Sequence, residues 1–592
     1  MFVFRDETAL GKVVSVDTGT VVVQVHAPDR LQRLQVNRLV VLQARPGQPL
    51  IGVVRKITRQ MDGEGVDEET LPGLTLSESN FVRIALVGTL FHRDRGQRHV
   101  FRRSLEAVPQ IDALCFALEG PDLTAFMQVV SQIGAGDTEA LSLGSYTLDA
   151  GAAALLNGNR FFQRHAVVVG STGSGKSWTT ARLLEQVADL PNANALVFDI
   201  HGEYRTLTGS GFRHLRVAGP ADLDEGTASP DVLYLPYWLL NYDALRTLLV
   251  ERSDQNAPNQ SMLIGRLVRE AKEKFLQEAD RKDLLAGFTV DSPIPFDLDW
   301  VLSRLGEHNE AMEVNPHTKK ERQAEFNNKL GRLIARLEAK TQDRRHGFLF
   351  GGRPATGELG YLDTLVERLL AGRRGQSDEK GGVKIIDFSE VPSDILPLII
   401  AMVAGLAFSV QQWTPSDRRH PIALFCDEAH NYISDLAQDD SEARVAVRTF
   451  ERLAKEGRKY GVGLVIISQR PAEVSRTVIS QCNNVIAMRL TNAEDQSRVR
   501  SLLPDTLAGF ADLLPVLDVG EAVVVGDASL LPARVRIAEP RSKPDSLTVE
   551  FWTRWSADNN PGGLSNACEA WRRQSFVTTA VQPVAALEAE IA

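Results

Sequence analysis

The chain has 592 residues, enough for about three or four domains at roughly 150 residues each. Its 43% hydrophobic and 24% charged residues give the balance of a globular protein, and its net charge of −10 excludes a uniformly basic nucleic-acid coat while leaving room for a local basic groove. The four cysteines, Cys115, Cys426, Cys482 and Cys568, are far apart and form no CxxC pair, which argues against a disulfide framework or a cysteine-caged zinc and for a reducing, cytoplasmic compartment.

Met1-Phe-Val-Phe-Arg-Asp6 meets charge by its fifth residue and offers no export signal. Residues 13–25 are two β-rich runs across a turn at Thr18-Gly19, which predicts a hairpin. Further β-runs at 39–42, 50–57 and 82–90 predict a small barrel or sandwich within residues 1–135. Met61-Asp-Gly-Glu-Gly-Val-Asp-Glu-Glu69 reads as an exposed acidic loop, and 92–103 is rich in arginine, a solvated or partner-facing stretch before a DNA-facing one.

From about residue 141 the pattern changes. Short apolar runs at 166–170, 195–200, 383–388, 422–427, 463–468, 485–490 and 522–526 alternate with helical stretches. That predicts an α/β core with a parallel sheet covered on both faces, in two parts, 141–242 and 375–540. Between them, 243–374 is charged and reads as an inserted helical subdomain, with a helix expected over 319–337 from its apolar spacing. The apolar run 395–410 contains Pro397 and Gly405 and is shorter than the ~20 residues of a membrane span, so a buried core helix is expected and no membrane contact. Residues 541–592 read as a tail with one or two helices.

The chemistry is carried by Gly170-Ser-Thr-Gly-Ser-Gly-Lys-Ser177, which satisfies the spacing GxxxxGK followed by Ser or Thr, after an apolar strand and before a helix. Its glycines permit the turn that aims successive N–H groups at phosphate oxygens. The expected cradle is Gly170, Ser171, Thr172, Gly173, Ser174, Gly175, Lys176, Ser177 and Trp178, with Lys176 on the β/γ-phosphates and the Ser177 hydroxyl on Mg²⁺. Ile422-Ala-Leu-Phe-Cys-Asp-Glu-Ala-His430 is an apolar strand ending in two acids. Asp427 is expected to hold Mg²⁺ through water, and Glu428 to polarise the attacking water as general base. No guanine reader of the form Asn-Lys-x-Asp is present, since Asn328-Lys-Leu-Gly331 lacks the acid, so the expected nucleotide is ATP. Asp199-Ile-His-Gly-Glu-Tyr204 closes the second strand; it is either a turn capped by its Asp or a further polar edge with Glu203 as a metal ligand. Gln469, at the end of 463–468, is placed to sense a γ-phosphate. Arg164, Arg452 and Arg458 are arginine-finger candidates, acting from a neighbouring subunit, with surface ion pairs as the competing reading.

These motifs together resemble the HerA family of hexameric DNA translocases, relatives of FtsK among the RecA-like motor ATPases. The residues that carry the resemblance are Arg164-His165, Asp199 to Tyr204, Asp427-Glu428-Ala-His-Asn431, Glu456-Gly-Arg-Lys-Tyr-Gly461, Ser468-Gln-Arg-Pro471, Ser480-Gln-Cys-Asn483 and Arg489-Leu-Thr-Asn492. The resemblance implies a RecA-like P-loop ATPase core, an N-terminal barrel like the family's HAS barrel, and the helical insertion. It further implies a homohexamer with ATP between subunits, double-stranded DNA in a central channel, and a nuclease or antiphage effector as partner; the barrel, which carries no nucleotide motif, is expected to form the face that docks it. Ile200 stands where the family pattern has Pro, and the Walker B strand carries Cys426; neither departure removes a ligand. The competing readings are a ring scaffold that activates an effector with little translocation, and a motor for another polymer, as in conjugation or secretion.

Overall fold

The computed structural model describes residues 4–25, 28–31, 34–62, 77–91, 99–131, 140–223, 229–251, 253–314, 317, 320–351, 354–372, 382–437, 442–503, 505–546, 549–556 and 564–574. The acidic loop beyond residue 62 and the arginine-rich stretch before residue 99 lie outside them. The chain divides into two compact units, Met1–Leu183 with Asn483–Glu539, and Leu184–Cys482 with Pro540–Ala592.

In the first unit, Gly11–Asp17 and Thr20–Gln24 form the hairpin expected around Thr18-Gly19. Alternation then decides which face is buried: Val13, Val21, Val23, Val82 and Ile84 point into one core with Val40, Leu42, Leu50 and Val54. Six antiparallel strands close on themselves, because Thr20–Gln24 pairs with both Gly11–Asp17 and Ser77–Phe91. Closure removes the sheet edges that a small open sheet would expose. Val100–Arg102 adds to the outside of Ser77–Phe91. The barrel is tied to the rest of its unit by Arg103, whose Nε donates to the Leu530 carbonyl at 2.9 Å.

The same unit holds Ala166–Val169, parallel to Asn484–Ala487. Beyond that pair the sheet continues antiparallel through Glu521–Gly526, Ala533–Ile537, Ala140–Tyr146 and Asp149–Asn157. The expectation of a parallel strand at 522–526 is therefore corrected. The connection to Ala533–Ile537 is too short for the crossover that parallel pairing needs, so the chain turns back as a hairpin. Arg534 and Arg536 of the returning strand hold the Glu521 carboxylate, which is buried.

The second unit contains six parallel strands in the order Val232–Leu233, Phe212–Val217, Val383–Asp387, Ala195–Asp199, Ile422–Cys426 and Val462–Ser468. The inner ones are continuous apolar runs, as strands covered on both faces must be. Phe212–Val217 and Val232–Leu233 were not expected: Phe-Arg-His-Leu-Arg-Val interleaves cations with apolar residues, and only its Phe212, Leu215 and Val217 are buried. Leu396–Trp413 is the core helix expected over 395–410, with Pro397 in its first turn, where proline is tolerated. It is the one described helix long and apolar enough to cross a membrane by composition, and 61% of that window is buried within the protein.

The insertion is helical, with Tyr242–Leu249, Ala257–Glu278, Leu298–Glu310, Gly331–Gln342 and Tyr361–Leu370. A single helix over 319–337 is not formed. Glu321–Gln323 pairs with Met312–Val314, and the helix starts only at Gly331. Asn328 adopts a left-handed backbone, Asn327 donates to the Ala311 carbonyl, and Asn309 accepts from the Leu330 N–H. Those side-chain bonds make a turn where the apolar spacing alone reads as helix. The tail carries Phe551–Trp555 and Leu564–Arg573.

Candidate nucleotide-binding and hydrolysis site

In the first unit the fully buried strand Ala166–Val169 delivers the chain into Gly170, and the helix Lys176–Ala188 leaves it. Gly173 and Gly175 have φ of 75° and 104°, where a side chain is strained. A Cβ on Gly170 would lie 2.3 Å from the Ser174 Oγ, whereas one on Gly173 would meet open space. The loop is tethered at both ends. Ser171 N donates to the Arg489 carbonyl at 2.8 Å, Thr491 N donates to the Ser171 Oγ at 3.3 Å, and Gly520 N donates to the Ser174 carbonyl at 3.0 Å. Lys176 and Ser177 are buried, Trp178 is half-buried, and Thr172 and Gly173 are exposed. The Ser174 hydroxyl is fully buried with no hydrogen-bond partner among the described residues. Left-handed glycines, an orphaned hydroxyl and a helix N-terminus with its unsatisfied N–H groups fit an anion cradle for phosphates.

The two glycines give a paired prediction. Gly173→Ala meets no atoms, so it should lower stability only by the left-handed cost of about 1–2 kcal/mol. Gly170→Ala carries no left-handed cost, but its Cβ must displace Ser174 and Met488, so it should destabilise more and also weaken ATP binding. Thermal unfolding and ATP titration of both variants check the order; equal losses would mean that the loop relaxes freely.

In the second unit Ile422–Cys426 is buried throughout and ends in Asp427 and Glu428, 0% and 2% exposed. Glu428 has φ 44° and ψ 45°, a left-handed conformation that a non-glycine residue keeps only when its surroundings hold it there. The short turn Ala429–Asn431 follows. Gln469, just past Val462–Ser468, donates its Nε2 to the Glu428 Oε1 at 2.5 Å. The His430 Nδ1 lies 3.3 Å from the Glu428 Oε2 and 3.3 Å from the Ser468 Oγ. Tyr432, fully buried, donates its hydroxyl to the Asp427 carbonyl at 3.0 Å, and burial pushes its phenol up. Burial raises the Cys426 thiol as well, so it stands as an inert strand residue.

Asp199 does what the capping reading expects: its carboxylate accepts from the Glu203 and Tyr204 N–H groups, both at 3.0 Å. Burial, aided by the charge of Asp387, pushes it up to about 6 against the opposing backbone bonds. Glu203 is half-buried and its carbonyl accepts from the Asp545 N–H at 2.7 Å. Among the described residues no group of three or more His, Cys, Asp or Glu is arranged to hold a metal. Mg²⁺ bound with a nucleotide commonly takes most of its ligands from phosphate and water, so it needs no such cluster.

Arg164 and Arg452 each have an acidic neighbour within their own unit. Arg164 precedes Ala166–Val169 while the loop follows it, and its Nε is 3.8 Å from Asp527. Arg458 is exposed and leads into Val462–Ser468, whereas Gln469 leaves the far end, about 23 Å along a seven-residue strand. Arg452, on Glu442–Glu456, is 3.4 Å from Glu456 and lies over the Phe408 ring at 4.8 Å. The sequence reading gave no role to His430, nor to Asp387, which accepts from Arg205 at 2.6 Å and pairs in register with Asp199. The spacing Asp-Glu-Ala-His was the available signal for the first. The second is visible only once the strands are aligned.

A phosphate-type loop between a buried strand and a helix, with a parallel-sheet strand ending in paired buried acids, defines a P-loop ATPase. Residues 141–406 match the family described as the central domain of the helicase HerA, so the resemblance read from the motifs holds for this stretch. Over 406 residues the chain is 26% identical to a probable helicase of Methanocaldococcus jannaschii, covering 67% of each protein. It is 26% identical over 398 residues to the DNA double-strand break repair helicase HerA of Sulfolobus acidocaldarius, covering 66% of this chain and 68% of that one. Among solved structures, VirB4 of Thermoanaerobacter pseudethanolicus aligns with a TM-score of 0.42 at 18% identity, over 69% of this chain and 99% of that one.

Proposed function

We propose that the protein is an ATP-driven translocase of double-stranded DNA, working as a homohexameric ring in the cytoplasm with a nuclease or antiphage effector as partner. The observation that carries the hydrolytic part is the buried Glu428 carboxylate at the strand end, held by Gln469. In this reading the glycine loop and Lys176 bind the ATP phosphates, and Glu428 takes the proton of the attacking water. Ser177 and, through water, Asp427 are the residues that would hold Mg²⁺, which would neutralise charge on the phosphates, with Glu203 a weaker candidate. Gln469 ties the base to the strand end and senses the γ-phosphate.

Arg164 and Arg458 stand at strand starts while the loop and the base stand at strand ends, which supports arginines acting on a neighbour's nucleotide rather than their own. Support for DNA as the track comes from similarity to proteins whose names give that activity. ATPase activity raised by duplex DNA, in a sample whose native mass spectrum contains hexamers, is the expected result. ATPase activity indifferent to DNA favours the ring scaffold.

Exposed apolar residues following the barrel's outer strand support partner docking on the barrel face. Leu105, Val108 and Ile111, between the strands Val100–Arg102 and Leu114–Ala117, are 37%, 55% and 58% exposed. Exposed apolar side chains at these three positions, near one another in sequence, support a partner-facing surface there. Val108→Asp with Ile111→Asp should leave ATPase activity intact and abolish co-purification with the effector. Retained co-purification would place the docking face elsewhere, foremost on the helical insertion.

A further inference from the structure

We propose that the cavity between the barrel and the antiparallel strands of the first unit is a binding site for a small, uncharged, largely apolar molecule that carries one hydrogen-bonding group.

The cavity holds about 290 Å³, at the lower end of the range for ligand pockets, and all of its walls belong to the first unit. Leu39 comes from the barrel, Leu118 and Leu123 from the segment that follows Leu114–Ala117, and Pro532 from the approach to Ala533–Ile537. Leu118, Leu123 and Pro532 are buried, whereas Gln35 and Val36 are exposed, which puts the mouth on the side of these two. Tyr146, the last residue of Ala140–Tyr146, completes the wall. It is 7% exposed, and its hydroxyl makes no hydrogen bond among the described residues. Burial raises the phenol, so it keeps its proton and can both donate and accept. A buried hydroxyl without a partner is costly, and a ligand in this cavity can answer it.

The charged groups on the wall are already answered. The Arg38 Nη2 is 2.8 Å from the Glu119 Oε1, and Arg534 donates its Nε and Nη2 to the Glu521 Oε2 at 3.1 and 2.6 Å. Asp149 accepts from the N–H groups of Gly120 and Gly151. Gln35 is exposed and Asn37 half-buried, so water can meet both. A charged ligand would give up its hydration here and find no counter-charge to spare. What the cavity offers is apolar surface and one phenol, and that sets the class of molecule it takes. Such a molecule touches Leu39 of the barrel and Tyr146 and Pro532 of the sheet at once, so its binding stabilises the folded unit by mass action.

Titrations of the full chain with 4-methylphenol, toluene and 4-methylbenzoate, followed by ligand-observed NMR, test the site. 4-Methylphenol should bind the native chain with Kd on the order of 0.1–1 mM, the range for a probe of its size. Tyr146→Phe removes only the oxygen, so it should weaken 4-methylphenol about tenfold and leave toluene within about twofold. 4-Methylbenzoate, similar in shape but charged, should bind at least about tenfold more weakly than 4-methylphenol. Saturating 4-methylphenol should also raise the unfolding temperature of the native chain, and raise it less in Tyr146→Phe. Absence of 4-methylphenol binding at millimolar concentration overturns the site. So does a Tyr146→Phe variant that weakens both neutral probes equally or neither, because the phenol then answers no ligand. 4-Methylbenzoate bound as tightly as 4-methylphenol overturns the assigned class.

Discussion

Glu428→Gln should bind ATP as the native chain does and lose turnover by about 10²–10⁴-fold, the range of general-base catalysis. The amide keeps the shape of the side chain and one acceptor oxygen, but it cannot take the proton of the attacking water. The buried setting sharpens the effect, since Glu428 is 2% exposed and bulk water does not readily substitute for it. Lys176→Ala should differ in kind by losing nucleotide affinity, because it removes the buried charge expected to face the phosphates. ATP titration and single-turnover hydrolysis of the two variants separate binding from chemistry. Hydrolysis near the native rate in Glu428→Gln would show that another group takes the proton.

The second large effect concerns the arginines. Replacing Arg164 or Arg452 by Ala should reduce turnover by as much as the 10³–10⁵ that an arginine finger contributes, with nucleotide affinity spared. Within one chain these groups are otherwise engaged, Arg164 near Asp527 and Arg452 with Glu456 and the Phe408 ring. Those contacts are half-exposed and worth little, so a neighbour's phosphates can draw the guanidinium away. The diagnostic is mixing. Arginine-variant and Glu428→Gln subunits, each inactive alone, should regain activity together, because some interfaces then pair an intact base with an intact arginine. No regain despite demonstrated subunit exchange would place the arginine in the same subunit as its nucleotide, or outside catalysis. Arg458, exposed at the start of its strand, is the third candidate and should be tested in the same way.

How much of this was legible in the residues follows from what kind of signal each part leaves. The glycine loop and its two flanks are local in sequence, and the hairpin around Thr18-Gly19 is local too, so both were readable. The acid pair at 427–428 was readable because a buried parallel strand is a continuous apolar run with a sharp polar end. Phe212–Val217 was missed because its cations break that run. The antiparallel pairing of Glu521–Gly526 depends on the short return to Ala533–Ile537, and apolar content carries no strand direction. The false helix over 319–337 arose because asparagine side chains at 309, 327 and 328 make a turn that periodicity does not register. His430 and Asp387 acquire meaning only from partners 38 and 182 residues away in sequence, at Ser468 and Arg205.

The central claim is that ATP hydrolysis moves this protein along duplex DNA, and displacement of a triplex-forming strand from a linear duplex reads that motion directly. The native chain should displace the third strand with ATP and Mg²⁺, and Glu428→Gln should bind the duplex without displacing it. DNA-independent ATP hydrolysis with the third strand left in place would contradict the translocase account and leave an ATP-driven scaffold.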